Sequence, residues 1–134
     1  MKVRGIRGAT TVEHNDADEI LAATAELLEE MVRLNHVDPD DIASVFITMS
    51  PDLNATFPAR AIRTMSGWET VPLMCATEID VPGGLARCIR LLMLVNTELS
   101  PRAIRHAYLK EARKLRPDLA GGEDLTDSAF SSNV

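Results

Sequence analysis

The stretch Gly83-Gly84-Leu85-Ala86-Arg87-Cys88-Ile89-Arg90-Leu91-Leu92-Met93-Leu94-Val95-Asn96 decides how this chain is read. The paired glycines close a turn, and from Ala86 to Asn96 the residues are almost continuously apolar, which reads as a buried strand. Arg90 interrupts the run. A permanent charge in an apolar strand is costly unless an anion faces it. The partner is either an internal carboxylate, with Glu78 the first candidate, or an anionic ligand that completes a site. Cys75 and Glu78 fall at the end of the preceding strand, where binding loops gather, and Arg7, Arg60, Arg63 and Arg116 offer further guanidinium groups. Those two features tip the reading toward a ligand.

Working upstream, Val71 to Ala76 reads as a strand and Asp80 to Gly84 as a turn. Pro58 is placed to start a short helix through Ala59, Ala61, Ile62 and Met65 that Gly67 would end, presenting Arg60 and Arg63. Ser50 to Asn54 is loop, and Ile42 to Met49 is a strand rich in β-branched and aromatic residues. Asp16-Ala17-Asp18-Glu19 resembles a capping box, and Ile20, Thr24, Leu27, Leu28, Met31 and Leu34 recur at helical spacing to Asn35, so one long amphipathic helix is predicted. Residues 2 to 12 form an extended first strand interrupted by Gly5 and Gly8, glycines that mark a bulge or a close backbone approach. Downstream, Ser100-Pro101 is a helix-start pattern, and Arg102 to Arg116 is helical by propensity. From residue 118 to 134 the chain is too polar to pack, and a mobile tail is expected, leaving residues 1–117 as a single domain.

At 134 residues the chain fits one hydrophobic core, and 46% apolar with 25% charged residues is the composition of a globular protein. Aromatics are only 4%, so base-stacking platforms are scarce. The net charge of −6 argues against coating a phosphate backbone. That average hides an asymmetry. Residues 13–41 hold ten carboxylates against Arg33 alone, whereas residues 60–116 hold ten bases, mostly arginine, against five acids. Arginine's planar fork suits carboxylate and phosphate, so this concentration points to a discrete small-anion site.

Other chemistries find little support. Cys75 and Cys88 form neither a disulfide framework nor a zinc motif, and a nucleophilic Cys75 lacks a basic partner. His14, His36 and His106 lack metal-ligand spacing and read as surface or capping residues. No metal and no cofactor is expected. Leu91 to Val95, the longest apolar run, is far too short to span a bilayer, and the first residues do not read as a signal peptide. A reduced cytoplasmic enzyme without nucleic-acid or membrane partners is the expectation.

Four segments carry a resemblance: Arg4-Gly5-Ile6-Arg7-Gly8-Ala9-Thr10-Thr11, Pro51-Asp52-Leu53-Asn54-Ala55-Thr56-Phe57-Pro58-Ala59, Gly83 through Arg90, and Leu115-Arg116-Pro117-Asp118-Leu119. Together they are similar to the small trimeric chorismate mutases. The resemblance implies an α+β domain with a mixed five-stranded sheet, one long helix and short helices, three copies assembling as a pseudo-α/β barrel. It also implies an isomerase of aromatic amino-acid biosynthesis, carrying out the Claisen rearrangement of chorismate to prephenate without cofactor or proton transfer. The implied roles place Arg90 beside the breaking ether oxygen, and Arg7 and Tyr108 at the same side-chain carboxylate. Glu78 and Cys75 meet the ring hydroxyl, Phe57 and Leu115 form walls with Leu73 nearby, and Arg63 and Arg116 lie near the ring carboxylate. Arg60 stands where relatives carry lysine. The family fold places a strand over Lys110 to Lys114, a stretch whose sequence is unusually helical and polar.

A homotrimer with sites between subunits is also the physical expectation, because a single long helix cannot cover both faces of such a sheet. Two rival functions remain: a trimeric imine or enamine deaminase, which also pairs a carboxylate with an arginine, and a non-catalytic metabolite-binding module.

Overall fold

The computed structural model describes residues 1–116 of the chain. Its five strands are β1 (Lys2–Thr11), β2 (Ile42–Met49), β3 (Leu73–Thr77), β4 (Cys88–Thr97) and β5 (Ala107–Tyr108). They form one mixed sheet in the order β3-β2-β4-β1-β5. β4 runs antiparallel to β1 and β2 at the centre, and the outer β3 and β5 are parallel to their neighbours.

The long helix α1 (Ala17–Asn35) is capped by Asp16, whose carboxylate accepts the Glu19 N–H at 3.0 Å, as the capping pattern predicts. Its apolar stripe covers one sheet face. Leu27, Leu28 and Met31 join Ile6, Ile47, Ile89 and Met93 in the core, all fully buried. Burying each such side chain contributes about 1.5–3 kcal/mol before chain entropy is counted. Gly8 permits this close approach, since a β-carbon there would meet Met31 Sδ at 2.5 Å and Leu27 Cδ1 at 3.0 Å. The short helix α2 (Ala59–Arg63) packs beside α1 and ends before the expected Gly67 stop.

The opposite face is open. Alternation along β1 and β4 sends Arg7, Ala9, Arg90 and Leu92 there, because their neighbours Ile6, Gly8, Ile89 and Leu91 face α1. Met74, Phe46 and Leu92 lie in one cross-strand row on it, and all three are exposed.

Two expectations at the C-terminal side are corrected. Residues Lys110–Lys114 are neither strand nor part of a long helix, but a 3-10 turn following the two-residue β5. The composition explains it. Only Ala112 in this pentapeptide is buried, so neither a two-residue nor a 3.6-residue apolar period can be satisfied, and Lys110 turns the chain at φ 54°. Arg102 is likewise in a turn rather than a helix. The expected mobile tail, 118–134, lies outside the described residues.

Candidate active site

The ladder registers assemble the site. Thr48 pairs with Arg90, Arg90 with Ala9, and Ala9 with Tyr108, so four adjacent strands contribute one row on the open face. Arg7, two residues before Ala9, lies diagonally from Arg90 on that face, a relationship that typically spans roughly 7–8 Å. Arg90 is partly buried, its Nη1 3.7 Å from Glu78 Oε1. Glu78, just past β3, is tied to β2 twice: its N–H donates to the Met49 carbonyl at 2.9 Å, and its carboxylate accepts the Thr48 hydroxyl. The internal carboxylate weighed against a ligand as Arg90's partner is therefore the one that faces it.

In front of this pair lies a cleft of about 560 Å³. Arg90, Glu78, Cys88 and Leu115 line it, with Ser50, Asp52 and the Asp80–Leu85 segment forming its rim. Tyr108 packs against Ala9, Cys88 and Ala112, with Leu85 and Leu115 alongside, so it closes one side of the same region. Burial pushes the Cys88 thiol up to about 11, the charges of Glu78 and Asp52 adding to the shift and that of Arg90 opposing it. The thiol is thus held protonated.

A second cationic cluster adjoins β5. His106 Nδ1 accepts the Arg7 N–H at 2.9 Å. Burial first, and then the positive charges of Arg7 and Arg116, lower the imidazole to about 4. His106 is therefore a neutral, partly buried acceptor rather than the surface or capping residue expected. Arg116 is itself buried. Sequence reading also missed Thr48, Ser50, Asp52 and Cys88. Only Cys88 carried a usable signal, since it precedes Arg90 by two residues and alternation puts both on one face.

The remaining predicted residues lie elsewhere on the chain. Leu73 and Cys75 pack toward the α1 side, Cys75 pairing in register with the core residue Ile47. Phe57 is 70% exposed, and Arg60 and Arg63 are exposed on α2, Arg60 Nη1 donating to Thr56 Oγ1 at 2.8 Å. None of these five lines the Arg90 cleft. One chain thus brings together Arg7, Glu78, Arg90, Tyr108, Leu115 and Arg116, and carries Phe57, Arg60, Arg63, Leu73 and Cys75 as a separate group.

A mixed sheet with this strand order and a guanidinium–carboxylate cleft at the end of its central strand defines a small α+β protein with a site suited to an anion. Residues 3–119 match the family model of type I chorismate mutases, and the chain belongs to that family. It is 49% identical over 120 residues to chorismate mutase AroH of Bacillus subtilis, covering 90% of this chain and 94% of the relative. With chorismate mutase AroH of Thermus thermophilus it shares 46% over 122 residues, covering 90% and 99%. The solved structure of a chorismate mutase from Clostridium thermocellum superimposes with a TM-score of 0.81 at 52% identity, covering 84% of this chain and 99% of that one. The family resemblance read from the four sequence segments is borne out, and the deaminase alternative falls away. Among the described residues no helix is long and apolar enough to cross a membrane.

Proposed function

We propose that the Arg90 cleft is where chorismate rearranges to prephenate, and that a second subunit completes it. The observation that carries this reading is the placement of Arg90, partly buried, 3.7 Å from Glu78, and in one row with Tyr108. In the rearrangement one C–O bond breaks as one C–C bond forms, with no proton moved. The work left to the protein is to hold the folded conformer and to stabilise charge where it develops. Arg90 faces the ether oxygen, which gains negative charge as its bond stretches. Arg7 and Tyr108 grip the side-chain carboxylate together with Arg90. Glu78 orients the ring hydroxyl, Leu115 walls the cleft, and Arg116 adds positive potential for the ring carboxylate.

Phe57, Arg60, Arg63, Leu73 and Cys75 act on the same substrate from a neighbouring subunit. Their separation from the Arg90 cleft within one chain supports this, as does the exposed Met74–Phe46–Leu92 row, an apolar strip that assembly would cover. The assembly is a homotrimer built around the open sheet faces, in the cytoplasm, where both free cysteines stay reduced. Incubating the purified protein with chorismate and following loss of its diene absorbance tests the reading. Disappearance of the diene with formation of prephenate is the expected result. Saturable binding of chorismate with no change in absorbance would instead mean a metabolite-binding module.

A further inference from the structure

The loop that leads into β4 reverses through Arg87, a residue with a β-carbon in the left-handed region at φ 49°. That conformation is disfavoured for residues other than glycine and asparagine, and in an arginine it persists only where its surroundings impose it. Here the surroundings are the Asp52 side chain and the Val12 backbone, whose carbonyl accepts the Arg87 Nε–H at 3.2 Å. The Asp52 carboxylate accepts the Arg87 N–H with both oxygens, at 2.9 and 3.1 Å. The same carboxylate accepts the Ser50 hydroxyl at 2.6 Å, and this aims the Ser50 oxygen at the Cys88 N–H, 2.8 Å away. Ser50 N–H returns to the Cys88 carbonyl at 2.9 Å, so the β2–β4 ladder gains a final rung, half of it made by a side chain. The Val12–Arg87 pair ties the same point to β1, Val12 N–H donating to the Arg87 carbonyl at 3.0 Å.

We propose that Asp52 is a positioning residue for Arg90: it clamps the left-handed Arg87 turn and the Ser50–Cys88 rung, and thereby fixes the direction in which the third residue of β4 projects its guanidinium. The proposal rests on the reading of Arg90 given above. The geometry explains why a clamp is needed there. β4 enters the sheet only two residues before Arg90, and strand ends fray when their last rung is missing. Glu78 hangs from the same end of β2, through the Met49 carbonyl and the Thr48 hydroxyl, so freeing the β4 end would shift Arg90 relative to a carboxylate that stays in place. Inside the carboxylate range, burial raises Asp52 but the Ser50 hydroxyl and the Arg87 N–H outweigh it, and the group stays ionised as the clamp requires.

The test is a rescue. Asp52→Ala should lower kcat about tenfold or more while KM moves less than threefold, because the loss falls on an interaction strongest in the transition state. It should also speed amide hydrogen exchange at Arg87 and Cys88. Adding Arg87→Asn or Arg87→Gly, residues that adopt a positive φ without help, should restore kcat to within about threefold of the single Arg87 variant. Ser50→Ala, which keeps the carboxylate but removes the rung, should show the same kcat-weighted loss at smaller size and stands in if Asp52→Ala does not fold. A carboxylate that touched substrate directly would not be rescued at position 87. The proposal is overturned by failure of that rescue, by a loss carried in KM, or by faster exchange with kcat unchanged. Failure of the underlying reading shows elsewhere, as an undiminished kcat when Arg90 itself is neutralised.

Discussion

Thr48 and Arg90 face one another directly across the β2–β4 ladder, and Glu78 bridges them: it accepts the Thr48 hydroxyl on one carboxylate oxygen and lies 3.7 Å from the guanidinium with the other. The arrangement is asymmetric. The threonine bond holds the carboxylate, whereas the longer ion pair leaves the remaining guanidinium N–H groups available to an incoming anion. A tight bidentate pair would have spent them. Both partners stay partly solvated, which limits the desolvation penalty of the pair.

Thr48→Val keeps the shape and removes the hydroxyl that fixes Glu78. Hydrogen bonds to charged groups contribute roughly 1.5–3 kcal/mol, so kcat/KM for chorismate should fall about tenfold or somewhat more. Steady-state kinetics with the variant's melting temperature as a control decides it. A change of less than twofold would show that Glu78 needs no such support.

Between about pH 6 and 8.5, kcat should be flat, because the perturbed groups nearest the site titrate outside that window. Cys88 is raised to about 11 and stays protonated, while His106 is lowered to about 4 and stays neutral. A bell-shaped kcat profile centred near neutrality would show that an essential acid or base has been overlooked.

His106 makes a separate prediction about stability. Its folded value of about 4 lies below the ordinary 6.5, so between those values the unfolded chain binds more protons than the folded one. Stability therefore rises with pH across that window: the contribution is complete above about pH 6.5 and lost as pH falls toward 4. The full shift corresponds to at most on the order of 3 kcal/mol. His106→Asn, whose side-chain oxygen can still accept the Arg7 N–H, should flatten this part of the curve in urea unfolding at fixed protein concentration. An equal slope in parent and variant would contradict the assignment.

Assembly is testable by complementation. If Arg90 and Arg63 reach one substrate from different subunits, Arg90→Ala and Arg63→Ala chains should each be weak alone. Refolded together in equal amounts, they should regain about a quarter of parental activity, since that fraction of interfaces pairs two intact halves. No recovery, with mixed oligomers demonstrated by mass, would place both arginines in one subunit's site.

Much of this was legible in the chain. The helical spacing from Ile20 to Leu34 and the Asp16 cap define α1 almost to the residue, because capping and periodicity are local. Arg90 stood out because an arginine inside an apolar strand has few physical explanations, and Glu78, the internal alternative to the ligand that the reading favoured, is the carboxylate that faces it. The start of β4 was read two residues early, at Ala86 rather than Cys88, because the left-handed Arg87 depends on Asp52, distant in sequence. His106 escaped notice for the same reason: its role is set by Arg7, 99 positions away. The strand expected over Lys110–Lys114 came from likeness to the family and the helix from local propensity, and neither holds, because one buried residue in five supports neither periodicity.

The central claim is that Arg90 lowers the barrier by charge, and replacing it with citrulline, which keeps the planar fork but removes the positive charge, measures this most directly. Carboxylates carry the same charge before and after the barrier, so residues that only grip them, such as Arg116, should act mainly through KM. The ether oxygen gains charge in between. Loss of a donor at such a point typically costs roughly 2.7–4 kcal/mol, so kcat for the citrulline protein should fall about a hundred- to a thousandfold with a modest change in KM. A kcat within about threefold of the parent, worth only ~0.7 kcal/mol, would contradict the account.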